Sequence, residues 1–563
     1  MSERWETIVV GAGIGGLTAA AKLVQSGHKV LVLDKNPHLG GTASLYHRKG
    51  FGFPMGPLGF SNPDLVQRIL NDLRVGNRLK PCRVRYRLRA FDLDIPLSLP
   101  FSGMIKELVR IFPTDKAGIK KFFAWMEEIS LAKGPLTKGS LAKGSPSASA
   151  PAARKITASD ADQSLIQGTS TISAAAYLQS LIKDPRLRRI LGSIGTREPY
   201  TGLFLLAAMW DLIARQGIWY PREGIQSLSE RLVKAINGDG DGRPEVALWP
   251  HEGGHGEIRL NKEVAEIRIK DGRVLGVTLQ AEAGGDPLVS GPLANGSHLD
   301  ADAIISNADY KNTFLRLLGP KVVPREWYHA VSQARQTGSI LQVCLGIDAN
   351  KVDLSAFKEA ESILYRRGSK GGTVDWEAGE IDPKALASQE LEVSFWGRKE
   401  KASVVIRVEA EHRHFARYRS VATSRRWPDQ RVTFGFGQRT PEYQEYKRRL
   451  GQALVHEIGS LIPGLEQAIC VMDIATPLTF EDQGGRSEGA VAGWSWDYED
   501  FRDDQLQELI RTPIKGLFMV GYQAFSALFM GGVPTAMESG MRAAQAVLDG
   551  VGPTEAIKIP GIR

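Results

Sequence analysis

Cysteine is scarce in this chain: Cys82, Cys344 and Cys470 are the only three in 563 residues, and they lie far apart. Such a set excludes a disulfide framework, a cysteine-rich metal site and a redox pair, so structural thiols in a reducing compartment are expected. Long apolar runs are also missing. The best of them, Leu203 to Trp219, is broken by Asp211, Arg215 and Gln216 and reads as a buried core helix rather than a membrane span. Met1 to Thr7 holds no apolar stretch with a small-residue cleavage site, so no secretory signal is expected. The expected location is cytoplasmic, with a station at the inner face of a membrane as its variant. No nucleic-acid motif accompanies the basic residues, which are spread along the chain, and nucleic-acid binding is excluded on that ground. The net charge of +8 leaves three readings open: an anionic membrane surface, an anionic cofactor, or a solvated basic surface. At this length one core cannot suffice, and two or more lobes are expected.

The first chemistry-bearing segment is at the N-terminus. Ile8 to Val10 reads as a short strand, and Leu17, Ala20, Ala21 and Val24 mark one face of a helix. Gly27 suits the helix end, and Val30 to Leu33 is a second strand, which completes a parallel βαβ unit. Between strand and helix stands Gly11-Ala12-Gly13-Ile14-Gly15-Gly16. Gly11 allows the tight turn, Gly13 lets a pyrophosphate approach the backbone, and Gly16 lets helix and strand pack closely. Ile14 and Gly15 open the helix, whose free N–H groups and partial positive charge favour phosphate. Asp34 follows Gly11 by 23 residues, where a carboxylate can accept from ribose hydroxyls, and Lys35 stands beside it. NAD and FAD both use this device, so the motif alone does not choose between them.

Farther along, the pentapeptide Ser-Leu-Ala-Lys-Gly occurs at Ser130 to Gly134 and at Ser140 to Gly144. Residues 131–156 are too poor in apolar side chains to order themselves and read as a flexible insertion, either a flap or an idle loop. Trp219 to Gly224 reads as a turn, Ile225 to Ile236 as a helix, and Glu257 to Leu260, Glu263 to Lys270 and Val274 to Leu279 as one small run of strands. Ala303 to Ala308 reads as a parallel strand ending in a polar turn, Gly516 to Gly521 as a last strand, and Thr535 to Leu548 as a last helix. Residues of about 320 to 460 hold no recognisable chemistry. Gly531 and Gly532 permit close backbone approach, and Pro534 suits the first turn of a helix whose positive end would favour negative charge. The apolar segment Ile95 to Ile105 is followed by Lys106, Arg110, Lys116, Lys120 and Lys121, which fits a peripheral membrane contact and an internal lobe surface equally. His412 and His414 read as solvated residues on one strand face, with no metal expected. Asp92 and Asp94 alternate toward solvent. Tyr522, Trp494 and Trp496 are candidates to wall a cofactor or to fill a core. No catalytic acid or base is nominated.

These segments carry a family resemblance. Leu33 to Gly41 resembles the acid–base–spacer–Gly-Gly signature of glutathione-reductase-type flavoproteins. The chain as a whole resembles phytoene desaturases, carotenoid isomerases and retinol saturases at several separate points. Gly40-Gly41-Thr42-Ala43-Ser44 and Phe51 to Pro57, including Gly56, resemble the stretch placed beside the flavin. Trp219-Tyr220-Pro221 resembles the mid-chain turn, and Ile258 to Ile267 the strand pair whose Val264 backbone meets the adenosine. Ala301 to Asp309, with Asn307, resembles the return to the nucleotide lobe. Ala475 to Phe480 with Gly489 to Trp494 resembles a substrate-lobe stretch near the isoalloxazine, and Gly516 to Gly521 with Gly531-Gly532-Val533-Pro534 resembles the second flavin motif. The chain departs from its relatives at Thr42, where Arg or Lys is frequent, at Pro54, where Asp is common, and at Glu223, where glycine is usual.

The resemblance implies an α/β fold with a discontinuous glutathione-reductase-type Rossmann FAD-binding lobe and an interleaved α+β substrate lobe. The FAD lobe is expected from residues 1–80, 215–310 and 470–563, and the substrate lobe from 81–214 and 311–469. It implies FAD as cofactor and an apolar polyene or isoprenoid substrate, with hydride transfer to or from flavin N5 in desaturation, saturation or isomerisation. A quinone or oxygen would take the electrons. Two rivals stand beside it: an amine-oxidase-type flavoenzyme acting on an amine or porphyrinogen, and a flavin-free prenyl-binding protein on the same framework.

Overall fold

The computed structural model describes residues 3–57, 59–77, 79–90, 93–128, 173–192, 202–238, 254–280, 297–366, 374–398, 401–419, 439–495, 509–525 and 532–554. The expected insertion at 131–156 and the residues Asp92, Trp496 and Gly531 lie outside them. Two large sheets organise the rest. In the first, the order is Val264–Lys270, Arg273–Leu279, His298–Ser306, Glu3–Val10, Lys29–Leu33, His255–Arg259, with Leu517–Met519 also pairing with His298–Ser306. The strands His298–Ser306, Glu3–Val10, Lys29–Leu33, His255–Arg259 and Leu517–Met519 run parallel. Ile8, Val9, Val30, Leu31, Val32, Ile304 and Ile305 are fully buried, as a parallel sheet covered on both faces requires. The helix Ile14–Gln25 packs against both Ser227–Asn237 and Gly532–Leu548. Val10 pairs with Leu33 and with Ser306, and Ser306 with Met519, so four parallel strands end on one rung. Open α/β sheets bind ligands beyond such carboxyl ends.

The second sheet runs Ile469–Ala475, Ser339–Ile347, Lys401–Ala410, Leu391–Arg398, Ser362–Arg366, Tyr86–Ala90, Leu93–Pro96, with antiparallel pairing except where Ser362–Arg366 meets Tyr86–Ala90. Strand side chains alternate between faces. Leu341, Val343, Leu345, Leu391, Val393, Val404, Ile406 and Val408 therefore share one face, in one apolar cluster with Tyr446, Leu450 and Leu454 of the helix Pro441–Ile458. The opposite face is left for the site. We propose that the two lobes follow these two sheets. Because Ile469–Ala475 belongs to the second, the last crossing between lobes then falls after residue 475 rather than at 470.

Four local expectations are corrected. The apolar run from Leu203 is α-helical only to Trp210, continues as π-type turns over Asp211–Gln216, and gives way to a strand at Trp219. Trp219–Pro221 is not a turn, because it pairs antiparallel with Pro81–Arg83. His255–Arg259 does not join the run of Val264–Lys270 but pairs with Lys29–Leu33 at the opposite edge of the first sheet. His412 and His414 lie on a short helix, His412–Ala416, rather than on a strand.

The segment after Ile95 turns inward. Ile95, Leu97, Phe101, Met104 and Leu108 are buried with Phe122, Phe123 and Trp210 in a separate helical core, which favours the internal-surface reading. No described helix is long and apolar enough to cross a membrane. Trp210 is the centre of that core: it is fully buried, meets Phe123 edge-on at 5.2 Å, and donates from Nε1 to the Leu191 carbonyl at 2.9 Å. That carbonyl is one of the orphans at the end of the helix Pro185–Gly192. Trp210→Ala is expected to cost about 3–5 kcal/mol and Trp210→Phe about 1–3 kcal/mol. Thermal denaturation midpoints of the two variants and the unaltered protein measure this, and a Trp210→Phe midpoint equal to that of the unaltered protein would remove the hydrogen bond from the account.

Candidate functional site

The glycine turn is held from both sides. Gly11, at φ +101°, donates its N–H to the Leu33 carbonyl at 2.7 Å, and Asn307 donates its N–H to the Val10 carbonyl at 2.8 Å. The Asn307 side chain fills the hollow of the turn. A Cβ on Gly13 would stand 2.5 Å from Asn307 Nδ2, and one on Gly15 would stand 2.8 Å from Asn307 Oδ1. A Cβ on Gly16 would run into the Gly11 carbonyl oxygen. Gly13 caps the helix Ile14–Gln25 without any side-chain hydrogen bond, so its first-turn N–H groups are left for a ligand. Asp34 is buried at the end of its strand and accepts from the N–H of Ala12 at 2.7 Å and of Asn36 at 2.8 Å. Those bonds fix the carboxylate, and it still lines the cavity with lone pairs to spare.

A cavity of about 560 Å³ opens in front of this turn. Gly11, Gly13, Ile14, Gly15, Asp34, Lys35, Gly40, Gly41, Thr42, Gly56, Val264, Asn307, Gly521, Gly532 and Val533 all line it. Gly16 and Pro534 do not: Gly16 packs behind the turn, and Pro534 is buried in the first turn of its helix. Lys35 donates to the Asp482 carbonyl at 3.1 Å, and burial pulls its ammonium below the usual lysine range while Glu263 and Asp34 oppose. Arg316 bridges to Glu263 at 2.5 Å. At Thr42, where relatives often carry a cation, the hydroxyl accepts from Arg486 Nη2 at 2.7 Å. Arg486 also donates to the carbonyls of Ala490 and Val491, both at 3.1 Å. Burial draws Arg486 down to about 10, and Asp309 opposes the shift. A guanidinium from a distant segment thus stands beside the residue that departs from the pattern.

The far wall was not foreseen. Gln342, Arg407 and Glu392 line the cavity from three neighbouring strands of the second sheet, Gln342 opposite Arg407 and Arg407 opposite Glu392. Arg407 Nε donates to Gln342 Oε1 at 2.8 Å, and its Nη2 donates to the Gly56 carbonyl. Gln342 Nε2 donates to the Pro54 carbonyl at 3.1 Å, and Ser403 Oγ to the Gly52 carbonyl at 3.1 Å. Side chains of the second sheet therefore hold every second carbonyl of the segment that leads to Gly56. The one signal in the sequence was a polar residue inside each of three apolar strands.

The remaining candidates separate. Tyr522 lines the cavity, and burial pushes its phenol up. Trp494 is buried against Tyr310 and donates to the Gln523 carbonyl at 3.0 Å, so it belongs to the core. Asp94 pairs with Arg87 and Arg89 near the surface. His414 bonds Tyr446 at 2.7 Å and is buried, not solvated. Among the described residues no group of three or more His, Cys, Asp or Glu could hold a metal.

Fold and site together define a two-sheet α/β protein with a dinucleotide cradle. Among solved structures, a putrescine oxidase variant aligns over 98% of this chain and 100% of its own at 16% identity, with a TM-score of 0.55. An oxidoreductase from Methanosarcina mazei aligns over 96% and 100% at 15% identity, with a TM-score of 0.53. These likenesses concern the fold. The model of the family "flavin containing amine oxidoreductase" matches residues 14–454, and the chain belongs to that family. A phytoene desaturase (lycopene-forming) from Pseudescherichia vulneris is 26% identical over 61% of this chain and 63% of its own. A chloroplastic prolycopene isomerase from Daucus carota is 27% identical over 62% and 53%. The chain thus spans between half and two thirds of these relatives' length. The family is one of flavin-containing oxidoreductases, and the cradle fits FAD: two helix N-termini face the cavity, and glycine backbone lines it at Gly11, Gly13 and Gly15. The flavin-free prenyl-binding alternative is thereby set aside.

Two outcomes are expected. Gly16→Ala should give a protein that no longer retains FAD, whereas Gly532→Ala should keep its thermal midpoint, because a methyl there meets none of the described residues within 4 Å. Flavin absorbance after gel filtration and a melting curve measure the pair. The second concerns His412, which bonds Glu481 at 2.9 Å while Arg419 shares that carboxylate. Burial, with Arg419 alongside, pushes the imidazole down to about 4 from 6.5. Between those pH values the unfolded chain takes up a proton that the folded protein refuses, so stability falls on acidification through that window and is unaffected above it. His412→Asn should flatten the fall by up to about 3 kcal/mol. Denaturation midpoints between pH 7 and 4 read this, and parallel curves would contradict it.

Proposed function

We propose that this flavoenzyme acts on an apolar, polyene- or isoprenoid-type substrate by hydride transfer to or from flavin N5, in desaturation, saturation or isomerisation. The observation that carries the reading is that the described residues form no aromatic cage around the cavity. Phe480 and Tyr522 are the aromatic residues lining the cavity among those described. An amine oxidase reading calls for paired rings around the amine, whereas Ile340, Leu317, Phe480, Ala490 and Val491 offer an apolar wall to a hydrocarbon chain. The names of the desaturase and isomerase relatives point the same way.

Bound FAD supplies two-electron redox chemistry. The chain's own residues do the rest. Gly13, Ile14 and Gly15 offer backbone N–H groups to phosphate, Asp34 offers acceptors to ribose hydroxyls, and Val264 lines the adenosine end. Lys35, Gly40, Gly41, Thr42, Gly56, Asn307, Gly521, Gly532, Val533 and, behind them, Gly16 and Pro534 complete the proposed cofactor-binding set. The helix Gly532–Leu548 directs its positive end into the cavity, and Arg486 adds a cation at Thr42. A quinone or oxygen is the proposed electron acceptor. A peripheral station at the cytoplasmic face of a membrane fits a lipid-soluble substrate, and that chemistry is its only support, since the segment after Ile95 buries its large apolar side chains.

Anaerobic incubation of the holoprotein with carotenoid precursors, retinoids and amines tests the reading. Bleaching of the oxidised-flavin absorbance by a polyene is the expected result. Bleaching by an amine alone would replace the proposal with the amine-oxidase one.

A further inference from the structure

The rung that carries Gln342, Arg407 and Glu392 crosses the second sheet with Ala475 on one side and Leu364 on the other. Three polar residues therefore interrupt a face that is apolar at both flanks, and they do so where the sheet faces the cavity. Gln342 is 2% and Arg407 9% exposed. Two of the three guanidinium nitrogens are committed, Nε to Gln342 and Nη2 to the Gly56 carbonyl. Nη1 is not: its nearest carboxylate oxygen is Glu392 Oε2 at 3.9 Å, beyond hydrogen-bonding distance. Glu392 accepts only a long bond, 3.4 Å, from the Tyr86 hydroxyl. A donor and an acceptor, their side chains 11% and 18% exposed, thus face one another as a loose ion pair across a gap in the cavity wall. Burying such a pair costs free energy unless its hydrogen bonds are completed.

We propose that this gap is a recognition point for a hydroxyl group, and that the substrate is an apolar isoprenoid or polyene bearing an alcohol rather than a plain hydrocarbon. The inference rests on the reading of the substrate as a polyene or isoprenoid. A hydroxyl oxygen accepts from Arg407 Nη1 and donates its proton to Glu392, so both groups are satisfied at once. A carboxylate would be repelled by Glu392, and an ammonium by Arg407. A hydrocarbon would cover both charged groups without bridging the gap between them.

The test uses the holoprotein and three ligands of one chain: geranylgeraniol, its methyl ether, and the hydrocarbon without oxygen. The ether still accepts from Arg407 but has no proton for Glu392. Dissociation constants from quenching of protein fluorescence should rise from alcohol to ether to hydrocarbon, by about tenfold between alcohol and ether. Glu392→Leu should erase the difference between alcohol and ether while leaving hydrocarbon binding at least as strong. If Glu392→Leu fails to fold, the ligand series on the unaltered protein decides alone. Equal affinity for alcohol and ether would overturn the hydroxyl site while leaving the polyene reading intact. Failure of all three ligands to bind, with bleaching by an amine, would overturn both.

Discussion

The side chain of Asn307 occupies the hollow of the glycine turn, and much of the molecule is arranged around that contact. Cβ atoms added at Gly11, Gly13, Gly15, Gly16 or Gly521 would each come within about 3.5 Å of it. Asn307 follows the strand His298–Ser306, and Gly521 follows Leu517–Met519, so three segments far apart in sequence converge on one amide. The glycines at 13 and 15 then have two reasons to lack side chains, the approach of a phosphate and the presence of this amide. The turn cannot keep its shape without the strand that delivers Asn307, and that strand also pairs with Glu3–Val10 along its length. Cofactor cradle and sheet are one construction.

The nucleotide side was legible because its chemistry is local. Gly11 to Gly16, Asp34 and the strands on either side lie within 40 residues, and strand, turn and helix periods are visible at that range. Non-local pairing was not legible. Nothing within His255–Arg259 says that it will lie beside Lys29–Leu33 rather than beside its sequence neighbour Val264–Lys270, because a short, half-exposed strand suits either edge of the sheet. The polar rung was invisible for the same reason. Gln342, Glu392 and Arg407 are 50 and 15 residues apart in turn, and each alone is an ordinary polar residue in a strand. Only the register that sets them side by side turns them into a chemical group. His412 and His414 failed differently: two residues apart, they fit a strand by spacing, but the turn of helix His412–Ala416 sends one to Glu481 and the other to Tyr446.

Holding Gly56 from the second sheet couples the two lobes mechanically. Gly56 packs so closely on Thr42 that a Cβ there would stand 2.6 Å from the Thr42 carbonyl oxygen, and its own carbonyl accepts from Arg407. Thr42 in turn is held by Arg486, which is tied to Ala490 and Val491. A chain of short contacts therefore runs from the substrate-side strands through Gly56 and Thr42 to the segment after the helix Pro477–Gly484. Loose packing at any of these links would widen the cavity between the two sheets, and placement of groups across it depends on that distance.

Charge in the cavity follows from the same economy. The lining cations are Lys35, Lys262, Arg316, Arg407 and Arg486, and the lining anions are Asp34, Glu263, Asp309 and Glu392, a difference of one. The excess of eight positive charges in the whole chain is thus not concentrated here. A dianionic pyrophosphate cannot be held by side-chain charge that is already nearly neutralised. The attraction must come instead from backbone dipoles, and the structure directs two of them inward, at Gly13 and at Gly532. Fixed N–H groups cost no side-chain entropy and cannot titrate, so such a cradle keeps its grip across the pH range in which the surrounding ion pairs would weaken.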